Sequence, residues 1–132
     1  MTGSSSWDSL SMEDKVVQVL SDIIYHYPNH HFGRPFLTAY QLAILINERF
    51  PDTFLSFGHS IGGRDSGVSY NFTSYLAGQL SERIRNGVIT NVEKGFLSNS
   101  KLEEIEFIDA DAKVVSSLTD TQFDLLMFSR KE

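Results

Sequence analysis

The residues best suited to chemistry lie in a glycine-rich stretch near the middle of the chain. Its segment Gly58-His59-Ser60-Ile61-Gly62 has the G-x-S-x-G spacing of the nucleophile elbow of serine hydrolases. That elbow needs a strand before the serine and a helix directly after it, with an acid and a histidine later in the chain. Phe54 to Phe57 offers a short strand or a turn, but more glycines follow the serine and no histidine occurs after His59. The sequence context therefore disfavours a serine hydrolase.

The same stretch has the composition of a binding loop. Four glycines occur between positions 58 and 67, without the G-K-[ST] of a P-loop and without a G-x-G-x-x-G that opens a helix. Glycine punctuates loops, so the stretch predicts a loop rather than a phosphate site. Because loops often carry binding residues, we retain His59, Ser60 and Arg64 as candidate ligand-binding residues.

Two other clusters have part of a metal-ligand set. His26, His30 and His31 flank a proline, but neither cysteines nor a recognisable carboxylate pattern complete the set. Asp109 and Asp111 resemble the start of a calcium loop, yet no glycine and distal glutamate follow at the required spacing. We interpret the histidines as surface or interface residues and the aspartates as a hairpin turn. The sequence predicts no metal and no cofactor.

Apolar periodicity predicts two helices in the first half of the chain, each ended by a proline. Ser11 and Asp14 have the spacing of a capping box and predict the start of the first helix. Thr38 and Gln41 have the same spacing before the second helix, which is apolar nearly all round. We therefore expect the second helix to be the most buried.

The clearest element is a third helix that ends at Gly87. Asn71 or Ser69 can cap its N-terminus, and Gly87 can adopt the left-handed conformation that stops a helix. Its main apolar residues recur every four positions: Phe72, Leu76, Leu80 and Ile84. Val88, Ile89 and Val92 follow as a short β-type run, and Glu93-Lys94-Gly95 predicts a turn after it.

The last third of the chain predicts a second hairpin and a final helix. Leu102 to Ile108 and Lys113 to Ser117 have the composition of two strands. Thr119 and Gln122 repeat the capping-box spacing and predict a short C-terminal helix, with Leu126 packed inward. The predicted fold class is α+β: a three-helix core followed by β-hairpins and this helix.

We divide the chain into a flexible N-terminal arm, residues 1–10, and a single α+β domain, residues 11–132. Trp7 is the only aromatic residue of the arm, and it either folds back on the domain or contacts a second subunit. No apolar run approaches the ~20 residues needed to span a bilayer, and the N-terminus lacks the pattern of a secretory signal. With no cysteine in the chain, a cytoplasmic location is the simplest expectation.

The charge distribution disfavours a nucleic acid or a membrane as partner. The net charge is −6, and both flanks of the chain are acidic. Residues 58–95 carry four basic and three acidic side chains and are therefore close to neutral. Such a chain has little non-specific attraction to phosphate or to anionic lipid.

Three helices followed by a hairpin resemble a winged helix-turn-helix domain, over about Ser11 to Leu97. The resemblance implies that Tyr70 to Arg85 is the recognition helix and that Asn91 to Phe96 is the wing. The connection between the second and third helices is longer than the tight turn usual in that family. The outward face of the third helix comprises Ser74, Gly78, Ser81, Glu82 and Arg85.

Three functions remain open. The first is a small non-enzymatic module that binds a protein partner or a second copy of itself as a homodimer. The second is a DNA-binding regulator, which requires Arg64, Arg83, Arg85 and Lys94 to line one surface. The third is an enzyme or ligand-binding protein that uses the loop of residues 58–67.

Overall fold

The computed structural model describes residues 6–23, 35–58, 60–62, 71–98, 100–110, 112–116 and 126–131. Mixed helices and antiparallel sheets confirm the predicted α+β class. The helices are α1 (Ser6–Ser9), α2 (Met12–Ser21), α3 (Ala39–Arg49), α4 (Pro51–Phe57) and α5 (Phe72–Arg85). The strands are β1 (Leu37–Thr38), β2 (Val92–Phe96), β3 (Ile105–Asp109), β4 (Ala112–Ser116) and β5 (Leu126–Arg130).

Part of the expected N-terminal arm is folded. Residues 6–9 form the single turn α1, and Trp7 is only 2% exposed. Of the two alternatives for Trp7, this structure shows the one in which it folds back on its own domain. Burying so large an aromatic side chain removes much apolar surface from water, which explains why this segment is not a free arm.

The start of α2 differs from the prediction. Ser11 precedes the helix with φ 52° and ψ 45°, in the left-handed region, and its side chain makes no capping hydrogen bond. The capping box of Ser11 and Asp14 is therefore wrong, because an N-cap residue normally has extended backbone that directs its oxygen at the first amides. The helix ends at Ser21 with Asp22 as its C-cap, so the prediction that a proline ends it is wrong. Residues 24–28, up to that proline, lie outside the described residues.

The capping box before α3 is confirmed. Thr38 Oγ1 accepts a hydrogen bond from the Gln41 amide at 3.2 Å, and the Thr38 amide donates to Gln41 Oε1 at 2.8 Å. As expected for the most buried helix, six of its eleven residues are buried: Ala39, Tyr40, Leu42, Ala43, Ile44 and Ile46. Arg49 in its last turn binds the Asp22 carboxylate at 2.8 Å and ties the ends of α3 and α2 together.

Pro51 ends one helix and begins the next. It occupies the first turn of α4, where its missing amide hydrogen is not needed and its fixed φ already suits a helix. Phe54 to Phe57 is therefore helical, and the alternative of a short strand or turn there is wrong. Gly58, with φ 86°, ends α4 in the left-handed conformation.

Both ends of α5 match the prediction. Asn71 Oδ1 accepts from the Ser74 amide at 2.8 Å, while Ser74 Oγ accepts from the Asn71 amide at 3.2 Å. At the other end Gly87 has φ 75°. The Val88 amide reaches back to the Arg83 carbonyl at 2.9 Å and the Gly87 amide to that of Ile84 at 3.2 Å, which is the Schellman arrangement.

The larger sheet has the strand order β1-β5-β2, with both pairs antiparallel. Leu37 lies opposite Phe128, and Phe128 lies opposite Lys94. Glu93 to Gly95 therefore lies inside a strand, and the predicted turn there is wrong. Leu126 is buried as expected, but Leu126–Arg130 is the central strand rather than part of a helix. The rest of the predicted C-terminal helix, residues 119–125, lies outside the described residues.

The smaller sheet is the hairpin β3–β4, close to the predicted position. Asp109 pairs with Ala112, and Ala110 in the turn has φ 55°. The hairpin packs on the start of α3, because Phe107 stacks on Tyr40 with ring centroids 5.1 Å apart. Within the described ranges, no helix is both long and apolar enough to cross a membrane.

Candidate interaction surface on helix α5

The segment of residues 60–62 caps α5. The Phe72 amide donates to the Ser60 carbonyl at 2.8 Å, and the Thr73 amide donates to the Ile61 carbonyl at 3.2 Å. The third free amide, that of Ser74, is taken by the Asn71 side chain. A helix N-terminus binds anions through such free amides. Here these three donors are already used by the protein itself.

The described residues around Ser60 lack the strand and the helix of a nucleophile elbow. The element before the serine is the helix α4, and residues 61–62, directly after it, are not helical. Its backbone carbonyl serves as a capping group for α5. His59 and Arg64, the other two candidate ligand-binding residues, lie outside the described residues.

Gly62 is fixed in place by its neighbour. Its φ is 109°, and a Cβ built on it would overlap the side chain of Asn71. The glycine therefore allows this segment to pass close to the capping residue of α5. This close contact accounts for one glycine of the stretch without any ligand.

The candidate metal ligands do not assemble within the described residues. The cluster of His26, His30 and His31 and the second calcium-loop residue, Asp111, lie outside them. In the ranges that are described, no three histidine or acidic side chains form a group able to hold a metal ion.

Arg83 points towards the protein rather than away from α5. Its guanidinium lies 4.8 Å from the centroid of the Trp7 ring, a distance typical of a cation–π contact. It also donates a hydrogen bond to Gln79 Oε1, one turn earlier. Tyr75 lies on Trp7 as well, with ring centroids 6.1 Å apart. Trp7, Tyr75 and Arg83 thus join α1 to α5, and we call these three residues the Trp7 cluster.

Lys94, on β2, contacts a different part of α5. Its Nζ donates to Ser81 Oγ at 2.8 Å, and exposed Arg85 follows Ser81 by one turn. Positions 83 and 85 are about 200° apart around a helix. The structure therefore brings Lys94 near Arg85 and separates both from Arg83, while Arg64 lies outside the described residues.

The surface beside this pair is mixed in character. Glu82 is exposed next to Ser81 and Arg85. Beyond Lys94, Phe96 at the end of β2 is 67% exposed, and Val88 after α5 is 64% exposed. We define the α5–β2 surface by Ser81, Glu82, Arg85, Lys94 and Phe96. It combines two cations, one anion and an aromatic ring.

Sequence reasoning missed the partner of Trp7. The only available signal was an aromatic residue in a serine-rich segment, which does not identify what it contacts. The divergence of Arg83 and Arg85, in contrast, follows from helix geometry alone. The indole Nε1 of Trp7 and Oγ1 of Thr73 are buried without a hydrogen-bond partner among the described residues.

A scan of protein-family models and searches of curated proteins and solved structures found no match to this chain.

Proposed function

We propose that this chain is a winged-helix-type module without enzymatic activity that binds protein, including a second copy of itself. The element order α2-β1-α3-α5-β2-β5, with α4 and the hairpin β3–β4 as additional elements within it, and the strand order β1-β5-β2 support this fold. In such a domain α5 takes the place of the recognition helix. The wing is then the connection between β2 and β5, which includes the hairpin β3–β4, rather than residues 91–96.

The observation that carries the choice of a protein partner is the direction of Arg83. Its contact with Trp7 directs one of the two arginines of α5 towards α1 and leaves it only partly exposed. The exposed cation that remains on α5, Arg85, lies beside Glu82, and the whole chain carries a net charge of −6. Binding to DNA depends mainly on neutralising several phosphates, which this face is poorly equipped to do.

Exposed apolar side chains favour a protein partner. Phe96 and Val88 are both more than half exposed and lie at opposite ends of the segment that follows α5. Aromatic residues are enriched at protein–protein interfaces, where they form buried anchors. A homodimer that buries the Phe96 ring accounts for the exposed aromatic side chain of the α5–β2 surface and is compatible with its mixed charges.

The test measures mass and DNA binding on one sample. We expect multi-angle light scattering to give a concentration-dependent mass above 14.9 kDa. We expect fluorescence anisotropy with pooled short DNA duplexes to show no binding at physiological salt. Phe96→Ser should lower any dimer fraction, whereas Ile108→Ser, at an equally exposed site on the hairpin, serves as the matched control. A monomer that binds DNA would overturn the proposal.

DNA binding is the second candidate, because Lys94 and Arg85 lie near each other on α5 and β2. If they contact phosphates, Arg85→Ala and Lys94→Ala should each reduce the slope of log affinity against log salt by about one. Arg49→Ala removes the same charge from α3, where Arg49 pairs with Asp22, and should leave that slope unchanged. Equal effects of all three changes would indicate attraction through net charge alone.

A further inference from the structure

The helix α1 is held to the rest of the domain through the Trp7 cluster. Trp7 is buried, whereas Asp8 and Ser9 in the same turn are exposed. The aromatic and cationic groups that flank its ring, Tyr75 and Arg83, both belong to α5. The receiving side of this contact therefore belongs to α5, and it accepts a tryptophan presented on a single helical turn.

The connection between α1 and α2 carries backbone strain. Ser11 has φ 52° and ψ 45°, a conformation that residues with a Cβ adopt rarely. It is held there by a tight turn in which the Ser11 amide donates to the Asp8 carbonyl at 3.1 Å. Lys15 Nζ adds a hydrogen bond to the Leu10 carbonyl. Extending the chain at Leu10 and Ser11 would relieve the left-handed conformation and move α1 away from its own α5.

We propose that two copies of this chain exchange α1, so that Trp7 of each copy occupies the Trp7 cluster of the other. An exchanged element makes the same contacts as in the monomer, and short hinges under strain favour exchange. The structure shows that α1 fits this part of α5. The partner that occupies it in the exchanged dimer is therefore the α1 of a second copy. This inference rests on the self-association proposed above and adds a step to it: exchange of α1 joins the two copies, and burial of Phe96 on the α5–β2 surface stabilises the dimer so formed without being sufficient to form it.

The hinge residue Ser11 gives the first test, because two substitutions should act in opposite directions. Glycine tolerates a positive φ, so Ser11→Gly should favour the closed hinge and the monomer. Proline requires φ near −65°, so Ser11→Pro should open the hinge and favour the dimer. By light scattering, we expect Ser11→Pro to approach twice 14.9 kDa at concentrations where Ser11→Gly stays at that mass. Ser98→Gly, at an exposed serine after β2, is the matched control and should keep the wild-type mass.

Trp7 is the only tryptophan in the chain, so its fluorescence reports on the cluster directly. In an exchanged dimer Trp7 stays buried, and acrylamide should quench Ser11→Pro no more than the wild type. Adding Trp7→Ala to Ser11→Pro should return the mass to that of the monomer. A Ser11→Pro monomer with exposed tryptophan overturns the exchange. A dimer that persists in the double variant overturns the exchange but leaves self-association standing, and monomers throughout overturn both.

A mixing experiment tests the exchange without the proline. Trp7→Ala keeps an intact receiving site but has no tryptophan, whereas Arg83→Glu keeps Trp7 but places a carboxylate against its ring. We expect each variant to be monomeric by itself, with circular dichroism confirming that it folds. On mixing, exchange should produce a heterodimer in which acrylamide quenching of Trp7 falls at least twofold. Unchanged masses and unchanged quenching would overturn the proposal.

Discussion

Gly62 and Asn71 provide the sharpest test of the way α5 begins. Asn71 is 8% exposed, and its side chain accepts the Ser74 amide at 2.8 Å. Gly62 has φ 109°, and any Cβ at this position would overlap the Asn71 side chain. A change at either residue should therefore alter the effect of a change at the other.

The magnitudes follow from these contacts. Asn71→Ala loses an N-cap and should lower the free energy of unfolding by about 1–2 kcal/mol. Gly62→Ala should cost about 1–2 kcal/mol for its backbone conformation and about 1–3 kcal/mol more for the overlap. In the double variant the overlap disappears, because alanine at position 71 has no amide group. The double variant should therefore be about 1–3 kcal/mol more stable than the sum of the single effects predicts.

Urea unfolding followed by circular dichroism and by Trp7 fluorescence measures all four stabilities of this cycle. The control cycle combines Gly62→Ala with Thr38→Ala, which removes the cap of α3 instead. Those two changes should be additive within about 0.5 kcal/mol. If Gly62→Ala and Asn71→Ala are additive as well, residues 60–62 do not pack on the start of α5 as described.

Three further predictions concern the other elements. Thr38→Ala should lower the free energy of unfolding by about 1 kcal/mol through loss of the capping box, whereas Thr38→Ser should retain most of that stability. The melting temperature should fall by about 3–5 °C for each kcal/mol lost. Equal melting temperatures for both variants would contradict the capping role. Phe107→Ala should lower the free energy of unfolding in urea by about 3 kcal/mol, because the Phe107 ring stacks on α3. Ile108→Ala, at a residue 76% exposed, should lower it by less than about 0.5 kcal/mol. Similar losses would mean that the hairpin does not dock through Phe107. Ser60→Ala should change the free energy of unfolding by less than about 0.5 kcal/mol in the same assay. The reason is that the backbone carbonyl of Ser60, and not its hydroxyl, accepts the hydrogen bond from the Phe72 amide of α5. A larger loss would show that the hydroxyl contributes.

The helix ends that could be predicted from sequence are those decided by neighbouring residues. Thr38 with Gln41, and Asn71 before α5, satisfy the first free amides within three positions. Gly87 adopts its positive φ readily because glycine has no Cβ. Ser11 shows the limit of this reasoning. Its spacing to Asp14 is that of a cap, but the burial of Trp7 places a tight turn there instead.

The larger sheet could not be predicted, because its strands pair with partners that are distant in the chain. Glu93, Lys94 and Gly95 have the composition of a turn, so the β-type run before them predicts a strand that ends too early. They become β2 because they pair with Leu126 to Arg130. Lys94 lies on the same sheet face as buried Phe128, and its Nζ reaches Ser81 on α5. The pairing of β2 with β5 therefore also determines which way the Lys94 side chain points. An exposed lysine on an edge strand also discourages pairing with other chains at that edge.

The central place of β5 in the larger sheet has a consequence for how the chain is made. β1 and β2 do not pair with each other, and each hydrogen-bonds to β5. During synthesis the first two strands leave the ribosome long before their common partner, so neither ladder can form until Leu126 to Arg130 has emerged. The helices, whose backbone hydrogen bonds are local, can form earlier. Until β5 arrives, the buried sides of β1 and β2 depend on those helices, or on a chaperone, for protection from aggregation.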